Sequence, residues 1–195
     1  MTGYWTLPLA DGWTPPTELA SFLASDGPPV VAIGFGSMTS GDPAGLSRLV
    51  QGAATDAGVR AVLVSGWGGL RAERDETVFT IDSVPFEWLV AQVDAAVHHG
   101  GAGTTGASLH AGIPTVVVPF TMDQPFWGAR VAALGAGPAP IPRKRLTRER
   151  LAAALRRVLD PDVRLRAAEL GERIRTEDGV GEAVRRIAEA VRPRC

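Results

Sequence analysis

Short runs of Val, Ile, Leu and Ala alternate along much of the chain with longer windows in which apolar residues recur at helical spacing. Buried strands of a parallel sheet are nearly continuous in aliphatic residues, whereas helices that cover a sheet repeat every three to four positions. The alternation predicts an α/β, Rossmann-like fold, a parallel sheet with helices on both faces. The predicted strands are 29–35, 60–65, 78–81, 95–98 and 115–119, and the predicted helices between them are 44–57, 86–92, 104–111 and 123–134.

The pattern changes at both ends of the chain. Residues 1–17 contain Trp and Pro without a clear period, which indicates a linker or arm that precedes a domain at 18–195. No strand pattern follows residue 141, and Thr147 is placed to cap a helix. The C-terminal region 147–192 is therefore predicted to be helical, with helices over 147–159, 161–176 and 180–192.

Composition is that of a globular domain and excludes several classes of function. The 195 residues are 45% hydrophobic and 21% charged, and the formal net charge is -1, so no overall field attracts nucleic acid. No segment approaches the roughly 18 apolar residues of a transmembrane helix, and the N-terminal residues lack a signal-peptide pattern. The one cysteine, Cys195, cannot form a disulfide within the chain, which fits a reducing compartment. We expect a cytoplasmic protein without a nucleic-acid partner or a transmembrane segment.

A glycine-rich stretch lies between one predicted strand and the next predicted helix. It reads Gly101-Ala-Gly103-Thr-Thr-Gly106 and follows His98 and His99. A glycine loop before a helix N-terminus binds anions, because free amides and the helix dipole both face the ligand. The spacing also fits the G-x-G-x-x-G pattern of NAD-binding loops, with Asp123 about 20 residues later. That fingerprint normally follows the first strand of its fold and does not account for the two histidines, so NAD remains the weaker alternative.

The stretch from His99 to Gln124 resembles the donor-binding signature of the UDP-glycosyltransferase family, including a Gly-x-Pro at Gly112–Pro114 and a terminal Asp-Gln pair. The likeness is greater to the bacterial and sterol glucosyltransferase branch, and it extends over nearly the whole chain. The segments that carry it are Thr2–Trp5, Gly36-Ser37-Met38, His98–Thr105, Asp123–Trp127 and Gly137–Thr147.

This resemblance implies a GT-B enzyme, in which two Rossmann-like domains face each other and the C-terminal domain binds the nucleotide sugar. The chain resembles that C-terminal domain alone, so the N-terminal acceptor-binding domain and its catalytic base would be missing. The implied activity is inverting, metal-independent hexosyl transfer from UDP-glucose or a related NDP-hexose to a lipophilic or natural-product acceptor. UDP and TDP both remain open as the nucleotide. By itself the chain is expected to bind the donor but not to transfer the sugar.

The resemblance also assigns roles to residues that contact the phosphates. His99 is expected to assist departure of the diphosphate, together with Gly101, Gly103 and Thr104 at the helix N-terminus. Ser37, in the loop after the first strand, would reach the same phosphates. His98 points to the opposite face of an alternating strand, which favours a structural role.

Base and sugar contacts are less directly transferable. The Trp that stacks on uracil in plant relatives falls near Ser83, and the backbone of Val84 is the expected base contact. Trp67, at the end of the second strand, either lines the nucleotide site or covers the end of the sheet. Asp123 and Gln124 offer acceptors and a donor for neighbouring sugar hydroxyls, although an Asp at this position also caps helices.

Three further interpretations concern metal and alternative functions. Metal-dependent transferases use an Asp-x-Asp motif, and the one such string, Asp160-Pro-Asp162, lies between two predicted helices and is typical of a turn with a helix cap. We therefore expect no metal and no other cofactor. A GT-B sugar-nucleotide epimerase and a nucleotide-binding module without chemistry remain the rival functions.

Overall fold

The computed structural model describes residues 2–6, 12–38, 41–71 and 76–191. Five parallel strands form one sheet in the order β3-β2-β1-β4-β5, which confirms the predicted Rossmann-like α/β fold. The register pairs Val31 with Ala61 on one side and with Ala95 on the other. The strands are β1 (Val30–Gly34), β2 (Arg60–Val64), β3 (Val78–Ile81), β4 (Ala95–His98) and β5 (Thr115–Val117).

Eight α-helices of the described segments surround this sheet. The sequence pattern identified all of them except α1, a short helix that directly follows Pro16. Their bounds are α1 (Thr17–Ala24), α2 (Pro43–Ala57), α3 (Phe86–Val90), α4 (Ala102–Ala111), α5 (Gln124–Ala133), α6 (Arg148–Val158), α7 (Pro161–Arg175) and α8 (Gly179–Ala190). The predicted cap of α6 is confirmed, because the Thr147 hydroxyl accepts the Arg150 amide at 3.3 Å. Cys195 and the last position of the predicted 180–192 helix lie outside the described residues.

Alternate residues of β1 enter different cores on the two faces of the sheet. Val31 and Ile33 pack with apolar residues of α2 and α6, whereas Ala32 packs against Leu19 of α1 and Leu89 of α3. Both faces are thus covered, as the continuous aliphatic strands predict.

The crossover in strand order positions the functional loops. From β1 the chain moves outward to β2 and β3, and then returns to β4 on the other side of β1. Neighbouring loops at the carboxyl ends of β1 and β4 therefore lead to opposite sides, which leaves a crevice between them. None of the described helices combines the length and apolar character needed to span a membrane.

Candidate functional site

The predicted site residues all follow the carboxyl ends of strands, so the parallel sheet brings their loops to one edge. The loops after β1 and β4 border the crevice, and the loop after β5 adjoins the β4 loop. The loops after β2 and β3 lie farther along the same edge. From β1 to β5 the residues concerned are Ser37; Trp67; Ser83 and Val84; His99, Gly101, Gly103 and Thr104; and Asp123 and Gln124.

The His99 ring occupies the crevice between the β1 loop and the β4 loop. A Cβ atom added to Gly36 would lie 3.4 Å from its Cε1, and one added to Gly101 would lie 2.6 Å from its Nε2. The absence of a side chain at Gly101 thus leaves the space that the ring fills, whereas a Cβ at Gly36 would only be in ordinary contact with the ring. Burial lowers the pKa of His99, and the Asp123 carboxylate opposes this effect. His99 is therefore neutral near pH 7, and its buried Nδ1 has no protein partner.

The first turn of α4 begins two residues earlier than the predicted start at 104. Gly101 is its N-cap residue, and the Thr105 amide donates to the Gly101 carbonyl at 2.9 Å. The amides of the first three helical residues precede any carbonyl to which they could donate within the helix. Gly103 and Thr104 consequently lie inside the first turn, with amides available to an anion at the edge of the sheet.

The N-terminal arm packs directly on this helix. The Tyr4 hydroxyl donates to the Ala102 carbonyl at 2.8 Å, and the Tyr4 ring occupies the space that any side chain at Gly106 would need. Burial, with a smaller contribution from Glu87, raises the pKa of Tyr4, so the hydroxyl keeps its proton. This contact was not predicted, although a glycine inside a predicted helix often has a packing reason.

Gln124, at the start of α5, turns its side chain into the protein. Its Oε1 accepts the amides of Phe120 at 2.8 Å and Thr121 at 3.0 Å, and its Nε2 lies 3.5 Å from the Met38 sulfur. The residue is 4% exposed. The Gln124 side chain therefore stabilises the β5 loop and connects it to the β1 loop.

Asp123 stands at the N-cap position of α5, but its carboxylate does not cap the helix. Instead it accepts a hydrogen bond from the Trp127 indole Nε1 at 2.8 Å and stays exposed. The residue before it, Met122, has φ of 57°, the only positive φ outside glycine in the described part of the chain. Such backbone strain is concentrated at functional sites. The loop thus presents the Asp123 carboxylate at the edge rather than using it for the helix.

The residues in the loops after β2 and β3 differ in how far they are exposed to solvent. Trp67 is 90% exposed in a short 3-10 turn after β2, so its ring does not cover the end of the sheet. Ser83 is exposed, whereas Val84 is half-buried against the core that contains α1 and α3. Helix α3 begins just after Val84 and packs on α4, which connects the expected base-binding segment to the glycine loop.

Both carboxylates of the Asp160-Pro-Asp162 string form salt bridges with one arginine. Arg157 donates to Asp160 at 2.7 Å and to Asp162 at 2.8 Å. Within the described residues no group of three or more His, Cys, Asp or Glu side chains is arranged to hold a metal ion.

A separate cavity of about 1020 Å³ lies beside the arm. Its walls include Tyr4, Thr105, Trp127 and Arg185, but not His99 or Asp123. Trp127 therefore borders this cavity while its indole nitrogen binds the exposed Asp123.

The chain is similar in sequence to one described protein family and to sterol glucosyltransferases. Residues 72–190 match the family described as erythromycin biosynthesis protein CIII-like, C-terminal domain. A sterol 3-beta-glucosyltransferase of Emericella nidulans is 44% identical over 200 residues, which cover 96% of this chain and 14% of the relative. The Arabidopsis thaliana sterol 3-beta-glucosyltransferase UGT80B1 is 42% identical over 187 residues, 94% of this chain and 30% of the relative.

Among solved structures, the glycotransferase of kitacinnamycin superposes with a TM-score of 0.76 and 28% sequence identity. The match covers 97% of this chain and 48% of that protein. The chain thus spans about half of that solved structure and a smaller part of the two sterol glucosyltransferases.

Proposed function

Because the chain belongs to the family of erythromycin biosynthesis protein CIII-like C-terminal domains, and is a C-terminal domain of the UDP-glycosyltransferase type, we propose that it binds a nucleoside diphosphate hexose. UDP-glucose is the leading donor. The domain would form the donor half of an inverting, metal-independent hexosyltransferase. The relatives named as sterol glucosyltransferases support glucose as the sugar and a lipophilic alcohol as the acceptor.

The observation that carries the proposal is the position of His99 in the crevice, beside the first turn of α4 and its free amides. The turn offers the amides of Ala102, Gly103 and Thr104, and the Ser37 loop lies across the crevice. These groups are donors, which is what the oxygens of a diphosphate require. Asp123, one loop farther on, is an acceptor, which suits sugar hydroxyls.

The same arrangement fits the chemistry of transfer. The acceptor oxygen attacks the anomeric carbon from the face opposite the diphosphate, and the bond from that carbon to the phosphate oxygen breaks. The nucleoside diphosphate leaves with the electron pair, and a base outside this chain takes the acceptor proton. Negative charge grows on the leaving oxygen, where fixed amides, the helix dipole and the His99 N–H stabilise it.

A divalent cation would be redundant in this scheme. The helix terminus supplies about half a positive charge, and preorganised donors need no reorganisation as charge develops. We therefore propose donor binding and leaving-group stabilisation without metal.

The complete enzyme is proposed to contain an acceptor-binding domain that faces the carboxyl edge. The chain covers 48% of the kitacinnamycin glycotransferase, which leaves room for a second domain of similar size. That domain would supply the base, so the 195-residue chain would bind donor without turnover.

Titration calorimetry of the purified chain tests the proposal. UDP, UDP-glucose, TDP-glucose and NAD are titrated separately, and hydrolysis and transfer are assayed with the same preparation. Binding of a nucleoside diphosphate without turnover is expected. Selective binding of NAD, or release of free glucose without an acceptor, would overturn the proposal.

A further inference from the structure

We propose that His98 is a positioning residue for the diphosphate loop: its Nδ1 accepts the Gly100 amide and holds the first turn of α4 in its anion-binding geometry. The inference rests on the proposed function, because it concerns the loop that would bind the diphosphate. It gives a role to a buried imidazole that the transfer chemistry does not use.

The hydrogen bond has an ordinary length and is buried. The Gly100 amide lies 3.0 Å from His98 Nδ1, and His98 is 0% exposed. Since Nδ1 accepts this bond it carries no proton, and the neutral ring has its proton on Nε2. Burial, together with the neighbouring His99, lowers the pKa of His98 to about 3, so the ring is neutral and Nδ1 remains an acceptor near neutral pH.

Gly100 is the point at which the chain turns from β4 into α4. Its φ of +90° is in the region that favours glycine, and a Cβ there would lie 2.5 Å from Val117 Cγ1 and 3.1 Å from the Gln124 carbonyl oxygen. The residue is therefore confined between the sheet and the β5 loop. The Gly100 amide is directed back to His98. The next residue, Gly101, then has the backbone geometry of the N-cap of α4.

An aliphatic residue would fill the site without replacing the acceptor. His98 lies on the same side of β4 as Ala96, and the Phe86 ring meets its ring edge-on, with centroids 6.4 Å apart. Leucine would suit these surroundings but would leave the buried Gly100 amide unpaired, so the turn would shift to expose that amide. Asparagine would keep the acceptor, because its Oδ1 reaches nearly the position of Nδ1.

The test compares His98→Leu with His98→Asn, using UDP and uridine as probes. His98→Leu is expected to weaken UDP binding roughly tenfold, the value that corresponds to one lost hydrogen bond in the loop. Uridine affinity should not change, because uridine lacks the diphosphate. His98→Asn should restore UDP affinity to within about threefold of wild type. His110→Leu, a matched change of a histidine on α4 outside the site, should leave both affinities unchanged.

Equal affinity of His98→Leu and wild type for UDP would overturn the inference, and so would a parallel loss of UDP and uridine binding. If His98→Leu does not fold, His98→Gln replaces it, since the Gln oxygen reaches toward the Nε2 position; wild-type UDP affinity in this variant would likewise overturn the inference. If the wild-type chain binds no UDP, the proposed function fails separately. The imidazole nitrogen resonances then decide, because a proton on His98 Nδ1 contradicts the hydrogen bond.

Discussion

The indole Nε1 of Trp127 donates to the Asp123 carboxylate at 2.8 Å, one turn along α5. The carboxylate is thereby held at the edge of the sheet, although its position in the sequence is that of a helix cap. An aspartate that is positioned by a neighbour and still exposed can accept from a ligand. The absence of a cap hydrogen bond counts against the capping interpretation of Asp123, and its contact with a sugar stays a prediction.

Asp123→Ala should therefore weaken UDP-glucose binding about ten- to hundredfold, because hydrogen bonds to a charged acceptor contribute about 1.5–3 kcal/mol. UDP affinity should stay within about twofold, since UDP lacks the sugar. Calorimetry with both ligands measures the difference. Asp160→Ala, which removes a carboxylate paired with Arg157, serves as the control. A lower melting temperature with both affinities unchanged would indicate a purely structural role for Asp123.

Gly103→Val should abolish UDP binding while the fold persists. A Cβ at Gly103 has space, because its nearest neighbour outside the helix is the Tyr4 hydroxyl at 3.8 Å. The branched side chain would instead cover the open amides of the first turn. Circular dichroism and UDP titration together check this result. Native dichroism with unchanged UDP affinity would show that the diphosphate binds elsewhere.

Gly106→Ala is the contrasting variant on the same helix. Its methyl group would overlap the Tyr4 ring, so the arm must shift and the melting temperature should fall.

Removal of divalent metal should not change UDP affinity. Amides, the helix dipole and the neutral His99 already face the proposed diphosphate position. UDP is titrated in the presence of EDTA and again with added Mg²⁺. A large loss of affinity in EDTA that Mg²⁺ reverses would refute metal-independent binding.

Stability should decrease as the pH falls below 6.5, because burial lowers the pKa of His98 to about 3 in the folded chain. In that window the unfolded state binds the proton and the folded state does not, so protonation favours unfolding. The slope attributable to one such group approaches about 1.4 kcal/mol per pH unit. Urea unfolding between pH 6.5 and 5 measures it, and His98→Asn should reduce the slope. Identical slopes in the two proteins would contradict a neutral, buried His98.

Several elements could be predicted closely because the sequence marks both of their ends. β3 and β4 coincide with the predicted ranges 78–81 and 95–98, since polar or glycine residues flank continuous apolar runs. Helix α1 was missed because it is short and only Leu19 is buried, which is too little for a periodic signal. The start of α4 was placed too late because its first turn contains glycine, and the Tyr4 contact that supports this turn comes from a distant part of the chain.

In the candidate site, likewise, some features could be predicted from the sequence and others could not. The positions of the loops followed from strand order, because parallel strands carry all their carboxyl ends to one edge. The direction of the Gln124 side chain did not follow. Gln124 turns inward because the Phe120 and Thr121 amides need an acceptor, and no spacing rule anticipates that local demand.

The pairing of β1 with β4 determines when the crevice can exist. Val31 of β1 pairs with Ala95 of β4, so a fragment that ends before β4 lacks one side of the crevice. Nucleotide would then bind the completed fold and not its precursors. At a ligand concentration of about 100 times Kd such selectivity stabilises the native state by about 2.7 kcal/mol. Under the proposed function, the concentration of nucleotide sugar would therefore also affect how long the domain survives proteolysis.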